Sequence, residues 1–133
     1  MQYLLDTNVL IAAMKGQMAV RRRLESLPLT ALRLSAVVFG ELCFGAEKSR
    51  YGESNRARLE TLRQQLPWLG VDEETGRHYG RIRALLEGGG TPIGANDLWI
   101  AAQALAAGCV LVTDNEREFS RVTGLPLENW LHG

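Results

Sequence analysis

Four regions of the chain carry acidic side chains at positions where they could act together. Asp6 ends the apolar run "QYLL" and precedes a second apolar run, and Glu41 stands in "VVFGELCFG" among Val, Phe, Leu and Cys. Asp97 opens "ANDLWIAAQALAAG", while Asp114, Asn115 and Glu118 follow "CVLVT". In a parallel sheet every strand points the same way, so residues just after the strands line one edge, where such folds place their ligand sites. Three or more carboxylates gathered there would repel and raise one another's pKa unless a cation neutralised them. All-oxygen ligation suits Mg²⁺ or Mn²⁺, and a centre of that kind is built for hydrolysing a phosphodiester. His78 and His132 fit no ligand spacing such as H-E-x-x-H. No Ser or Cys stands in a G-x-S-x-G context, so a covalent nucleophile is not expected.

Each acid also has a purely structural reading. Asp6 and Asp97 are suited to capping the helices that follow them, and Asn115 with Glu118 has the spacing of a capping box. Glu41, predicted to share a helix side with Val37, Val38 and Phe44, is harder to dismiss, because a carboxylate among apolar groups is costly to desolvate without a partner. Independent caps would have no reason to converge on one edge.

The elements that must position these residues alternate. Strands are expected at "QYLL", "TALRLS", "PWLGV", "CVLVT" and "GLPLENW". Helices are expected at "VLIAAM", "MAVRRRLESL", "AVVFGELCFGAEKS", "RARLETLRQQL", "DEETGRHYGRIRALLEG" and "PIGANDLWIAAQALAAG", with "YGESN" as a loop. This order predicts one α/β domain over residues 1–133, with a mostly parallel central sheet and helices on both faces. The size, 133 residues at 46% hydrophobic, suits one core.

Fifteen basic residues balance fifteen acidic ones, so whole-molecule charge does not announce a nucleic-acid binder. Between Lys15 and Arg63, however, ten Lys and Arg face five Glu, a local excess that phosphates could use; "RRR" at 21–23 also reads as the solvated face of a helix. Tyr51, Trp68, Tyr79 and Trp99 are too scattered to define a base-stacking surface. Cys43 and Cys109 lie far apart in apolar stretches and read as reduced thiols. With no charged leader and no apolar run near the ~20 residues of a membrane span, a cytoplasmic protein with no membrane contact is expected.

In order along nearly the whole chain, "LLDTNVLI", "GELCFGAEKS", "PIGANDLWIAA" and "LVTDNEREFSRVTGL...ENW" resemble the VapC toxins of the PIN-domain ribonucleases. The resemblance implies a PIN-like fold and a metal-dependent endoribonuclease, held inactive by a VapB-type antitoxin and dimeric through the toxin. It carries the family's acidic triad to Asp6, Glu41 and Asp97. Asp6 and Asp97 are then expected to touch Mg²⁺ or Mn²⁺, with Glu41 as a further ligand. The family pattern T-x-[N/D], with an acid before Phe, selects Asn115 and Glu118 for the fourth polar group and leaves Asp114 as a neighbour. "GAEKS", "PIGANDLWIAA" and "REFSRV" are most similar to the branch that cuts initiator tRNA in its anticodon stem-loop. An inhibitory tail could use Met14, Met18 and Leu24 as an adaptable apolar surface; Leu24 equally suits the core.

A receiver domain would need an acidic pair after the first strand and a late Lys, and a dinucleotide-binding domain would need G-x-G-x-x-G; neither is present. A catalytically weak PIN fold, serving as an RNA-binding or protein-interaction module, is the alternative that a missing carboxylate would have favoured.

Overall fold

The computed structural model describes residues 1–132. Five short strands, β1 (Tyr3–Leu5), β2 (Leu32–Ser35), β3 (Trp68–Leu69), β4 (Val110–Val112) and β5 (Leu127–Glu128), form one sheet in the order β3-β2-β1-β4-β5. Every pairing is parallel. The helices are α1 (Thr7–Met14), α2 (Met18–Glu25), α3 (Ala36–Lys48), α4 (Gly52–Gln65), α5 (Glu73–Gly88), α6 (Ala95–Ala107) and α7 (Glu116–Phe119). Successive strand side chains point to opposite faces, and all three residues of β1 and of β4 are buried. Both sheet faces are therefore covered, as the continuous apolar runs require.

The chain steps outward from β1 to β2 and β3, then returns to β4 on the other side of β1. That reversal opens a crevice beyond the ends of β1 and β4. The register Leu5↔Val112 brings Asp6 and Thr113 out of the sheet side by side, and the Asp6 N–H donates to the Val112 carbonyl at 2.9 Å.

Two devices fix the helices around this crevice. Ser35 caps α3 by accepting from the N–H groups of Val37 and Val38 at 3.0 and 3.2 Å, while its hydroxyl donates to the buried Gln103 of α6. The N–H donors of the Gln103 amide are spent as well, since its Nε2 donates to the Leu69 and Gly70 carbonyls, each at 3.1 Å. A fully buried amide is tolerated here because its polar atoms are satisfied. Gly108, at φ 68°, ends α6 in the left-handed conformation that feeds β4.

Two expectations need correction. The stretch "YGESN" is not a loop throughout, because α4 starts at Gly52; a Cβ at Gly52 would stand 2.9 Å from the Ala46 carbonyl oxygen, so this glycine serves a close approach to α3. The helix expected over "PIGAND" starts only at Ala95, and the segment before it is held outside by Arg121, which donates to the Pro92 carbonyl at 3.0 Å.

Candidate catalytic site

Asp6 is only 5% exposed and does two jobs. Its Oδ1 caps α1 by accepting from the Thr7 N–H at 2.8 Å, and its Oδ2 accepts from the buried Thr113 hydroxyl at 2.7 Å. Burial raises its pKa, the hydrogen bonds from Thr113 and Thr7 oppose that rise, and the charge of Glu41 adds to it.

Glu41 shares a helix side with Val37 and Phe44 as expected, whereas Val38 turns into the core. Val38 and Leu42 occupy the core positions of α3, Phe44 is largely exposed, and Glu41 is half-buried beside polar partners. Its Oε1 accepts from the Thr7 hydroxyl at 2.6 Å and its Oε2 from Asn96 Nδ2 at 3.4 Å. Thr7 thus links two acids, through its N–H to Asp6 and through its hydroxyl to Glu41.

Asp97, in the first turn of α6, is pushed up to about 7, chiefly by burial, then by its hydrogen bond to Glu118 and by the charges of Asp6, Glu118 and Glu41. Glu118 is held below the usual carboxylate range by the hydrogen bonds from Asp97 and Asn115. The two shifts are opposite in direction, up for Asp97 and down for Glu118, as neighbouring carboxyls joined by a hydrogen bond require. Asn115 and Glu118 make no capping box, and α7 has no side-chain cap. Instead Asn115 Nδ2 donates to Glu118 Oε2 at 2.9 Å and reaches Asp97 Oδ2 at 3.5 Å, while the Asn115 N–H donates to the Thr113 hydroxyl at 2.9 Å. Asp114 is directed elsewhere, toward Asn129 at 3.2 Å and the exposed His132 at 3.6 Å.

The acids sense one another electrostatically, yet among the described residues no three His, Cys, Asp or Glu side chains stand together as a ready-made metal cage. The donor set still fits a hard divalent cation: it is all oxygen, and the charges of Asp6, Glu118 and Glu41 that help to raise the Asp97 pKa are a repulsion that a cation would relieve. Sequence reasoning did not single out Thr7, Asn96 or Thr113 as partners of these acids. Thr7 and Asn96 are chain neighbours of Asp6 and Asp97, and Thr113 is the first residue of T-x-[N/D], so the signals were adjacency and that pattern.

Other expected features are used for packing. Tyr79 and Trp99 stack at 3.9 Å between α5 and α6, and Trp68 meets Phe39 at 5.6 Å with Arg63 over its ring at 4.2 Å. Arg23 of "RRR" pairs with Glu128 at 2.9 Å and lies over Trp130. His78 is half-buried with its Nδ1 sealed and unpartnered among the described residues.

Residues 3–125 match the PIN domain, in keeping with the all-parallel five-stranded sheet and its flanking helices. The chain is 40% identical over 136 residues to a protein named Ribonuclease VapC2 from Haemophilus influenzae, covering 98% of this chain and 99% of that one. It is 38% identical to the tRNA(fMet)-specific endonuclease VapC of Shigella flexneri, with 98% of both chains covered. Among solved structures, a chain of the VapBC2 complex from Rickettsia felis, bound to a DNA fragment from its promoter, superposes with a TM-score of 0.91 at 36% identity, covering 98% of this chain and 99% of that one. The protein belongs to the PIN-domain family, in its VapC branch.

Proposed function

We propose that the protein is the toxin of a VapBC-type pair, a Mg²⁺- or Mn²⁺-dependent endoribonuclease that hydrolyses a phosphodiester in the anticodon stem-loop of a tRNA, with initiator tRNA favoured. The observation that carries this reading is the convergence of Asp6, Glu41, Asp97 and Glu118, from four separated stretches of chain, at the crevice where the sheet order reverses. Relatives named as ribonucleases, one of them tRNA(fMet)-specific, support the choice of substrate.

Asp6 and Asp97, with Glu41, would hold the cation, which when bound supplies an activated water and charge stabilisation at the phosphodiester. Thr113 orients Asp6 and Thr7 orients Glu41. Asn115 donates to Glu118 Oε2 and so orients that carboxylate beside Asp97. Asp97 must be deprotonated to become a full ligand.

The partner in this reading is a VapB-type antitoxin, and the toxin acts in the cytoplasm as a homodimer. An apolar groove of about 630 Å³, lined by Met14, Leu24, Leu27 and Leu62 and flanked by Arg21 and Arg58, supports a seat for an antitoxin tail. Met18 lies outside that groove lining and is 64% exposed. Among the described residues no helix is long and apolar enough to cross a membrane.

Incubating the purified protein with bulk tRNA in Mg²⁺, Mn²⁺ or EDTA tests the activity. Defined fragments with either cation, absent in EDTA and with Asp6→Asn, are expected. Equal cleavage in EDTA or by the variant would overturn the metal-dependent mechanism, and no cleavage of any RNA would favour the interaction module.

A further inference from the structure

One face of α3 departs from ordinary surface chemistry. Glu41, Phe44, Gly45 and Lys48 share that face at helical spacing, and Phe44 is 62% exposed while Lys48 Nζ lies 4.5 Å from its ring centroid. A single exposed apolar residue is unremarkable. Here, however, the ring borders a hollow of about 620 Å³ that also contains Thr7, Glu41 and Asn96, the hydrogen-bonded group described at the catalytic crevice. Gly40 and Gly45 form part of its lining, and a Cβ at either would meet nothing within 4 Å. An aromatic face, a cation and glycine-lined space thus adjoin the acids.

We propose that this hollow is a nucleotide subsite: the base next to the scissile phosphodiester stacks on Phe44, and Lys48 contacts an adjoining phosphate. Unpaired RNA bases are held in this way, by stacking on aromatic rings beside a positive charge. The occupant matches the chemistry present, since a nucleotide brings both a π-face for Phe44 and an anion for Lys48. The hollow is also continuous with Glu41, so a nucleotide in it lies beside the acids. Phe44 and Lys48 are positioning residues, and the inference rests on the ribonuclease reading for the identity of the chain that enters.

Binding separates the two ideas, because it can be read without cleavage. Fluorescence anisotropy in EDTA, with a labelled single-stranded RNA of about 12 nucleotides spanning the cut site, should show Phe44→Ala weakening binding roughly 5- to 150-fold, the range for loss of one stacked base. Phe44→Trp should restore it. Gly40→Leu should also weaken binding by filling the hollow, while its thermal midpoint stays level or rises, since Leu is a better helix former than Gly. In cleavage assays the loss should fall on KM, with kcat little changed. One abasic position beside the cut should cost the wild type as much as Phe44→Ala does, and cost that variant nothing more. Wild-type binding retained by Phe44→Ala, or by a folded Gly40→Leu, would overturn the subsite. So would losses that follow a change in oligomeric mass by light scattering, which would assign the face to a second copy of the chain. Specific binding through Phe44 without any cleavage would support the subsite and reject the catalytic reading.

Discussion

Replacing Asp97 by Asn removes one charge from the acidic crevice while keeping the size and shape of the side chain. In the metal-free protein the Asp97 pKa lies at about 7 instead of its ordinary 3.8, so between those values the native state binds more protons than the unfolded state. Stability contributed by this group therefore falls as pH rises from about 4 to about 7, and the full penalty is present above that window. The rise sets a ceiling of about 4 kcal/mol, at about 1.36 kcal/mol per pH unit. Asp97 is only half-buried, and Glu118 recovers part of the cost through their shared hydrogen bond; with solvent screening, a gain of roughly 1–2 kcal/mol for Asp97→Asn is expected at pH 8. For a chain of this length that corresponds to about 3–8 °C in thermal midpoint. Thermal melts in EDTA at pH 4 and pH 8 provide the assay: the variant should match the wild type at pH 4 and exceed it at pH 8, while losing cleavage. A variant less stable than the wild type at pH 8 would refute the reasoning and make Asp97 mainly a structural hydrogen-bond partner.

Mn²⁺ affinity, measured by titration calorimetry, should rise as pH increases through about 7, where Asp97 loses its proton; a flat profile from pH 6 to 8 would contradict that role. Glu118→Gln should impair cleavage more than Asp114→Asn, because Glu118 touches the Asp97 pair whereas Asp114 is paired with Asn129; the reverse ranking in a cleavage assay would restore Asp114 to the site. Thr113→Val should cost roughly 1–3 kcal/mol in urea unfolding at pH 7, since it strips a buried carboxylate of its hydroxyl donor.

The order of strands and helices was legible because buried parallel strands leave continuous apolar runs such as "CVLV", and because Asp6 and Ser35 are good caps that do cap. The acids stood out because each follows a strand or opens a helix. Their partners were harder to see. Thr113 lies 107 residues from Asp6, and Gln103 lies 68 from Ser35, so no local pattern announces either bond. Residue spacing placed Glu41 with its apolar neighbours but could not show that Thr7 and Asn96 would come from other elements to solvate it. The helix that starts within "YGESN" was hidden for a related reason: Gly52 answers a carbonyl on the preceding helix, and polar composition alone looks the same in a loop. Spacing placed Phe44 on the side of Glu41, but only the packed helix shows that this side faces outward while Val38 and Leu42 fill the core.

Sequencing the 5′ ends of cellular RNA shortly after inducing the wild type or Asp6→Asn tests the central claim most directly, because it reads substrate, position and dependence on the acidic site together. A dominant new end in the anticodon stem-loop of initiator tRNA, absent with Asp6→Asn, is the predicted result. No new RNA ends with the wild type, or the same ends with the variant, would contradict the account.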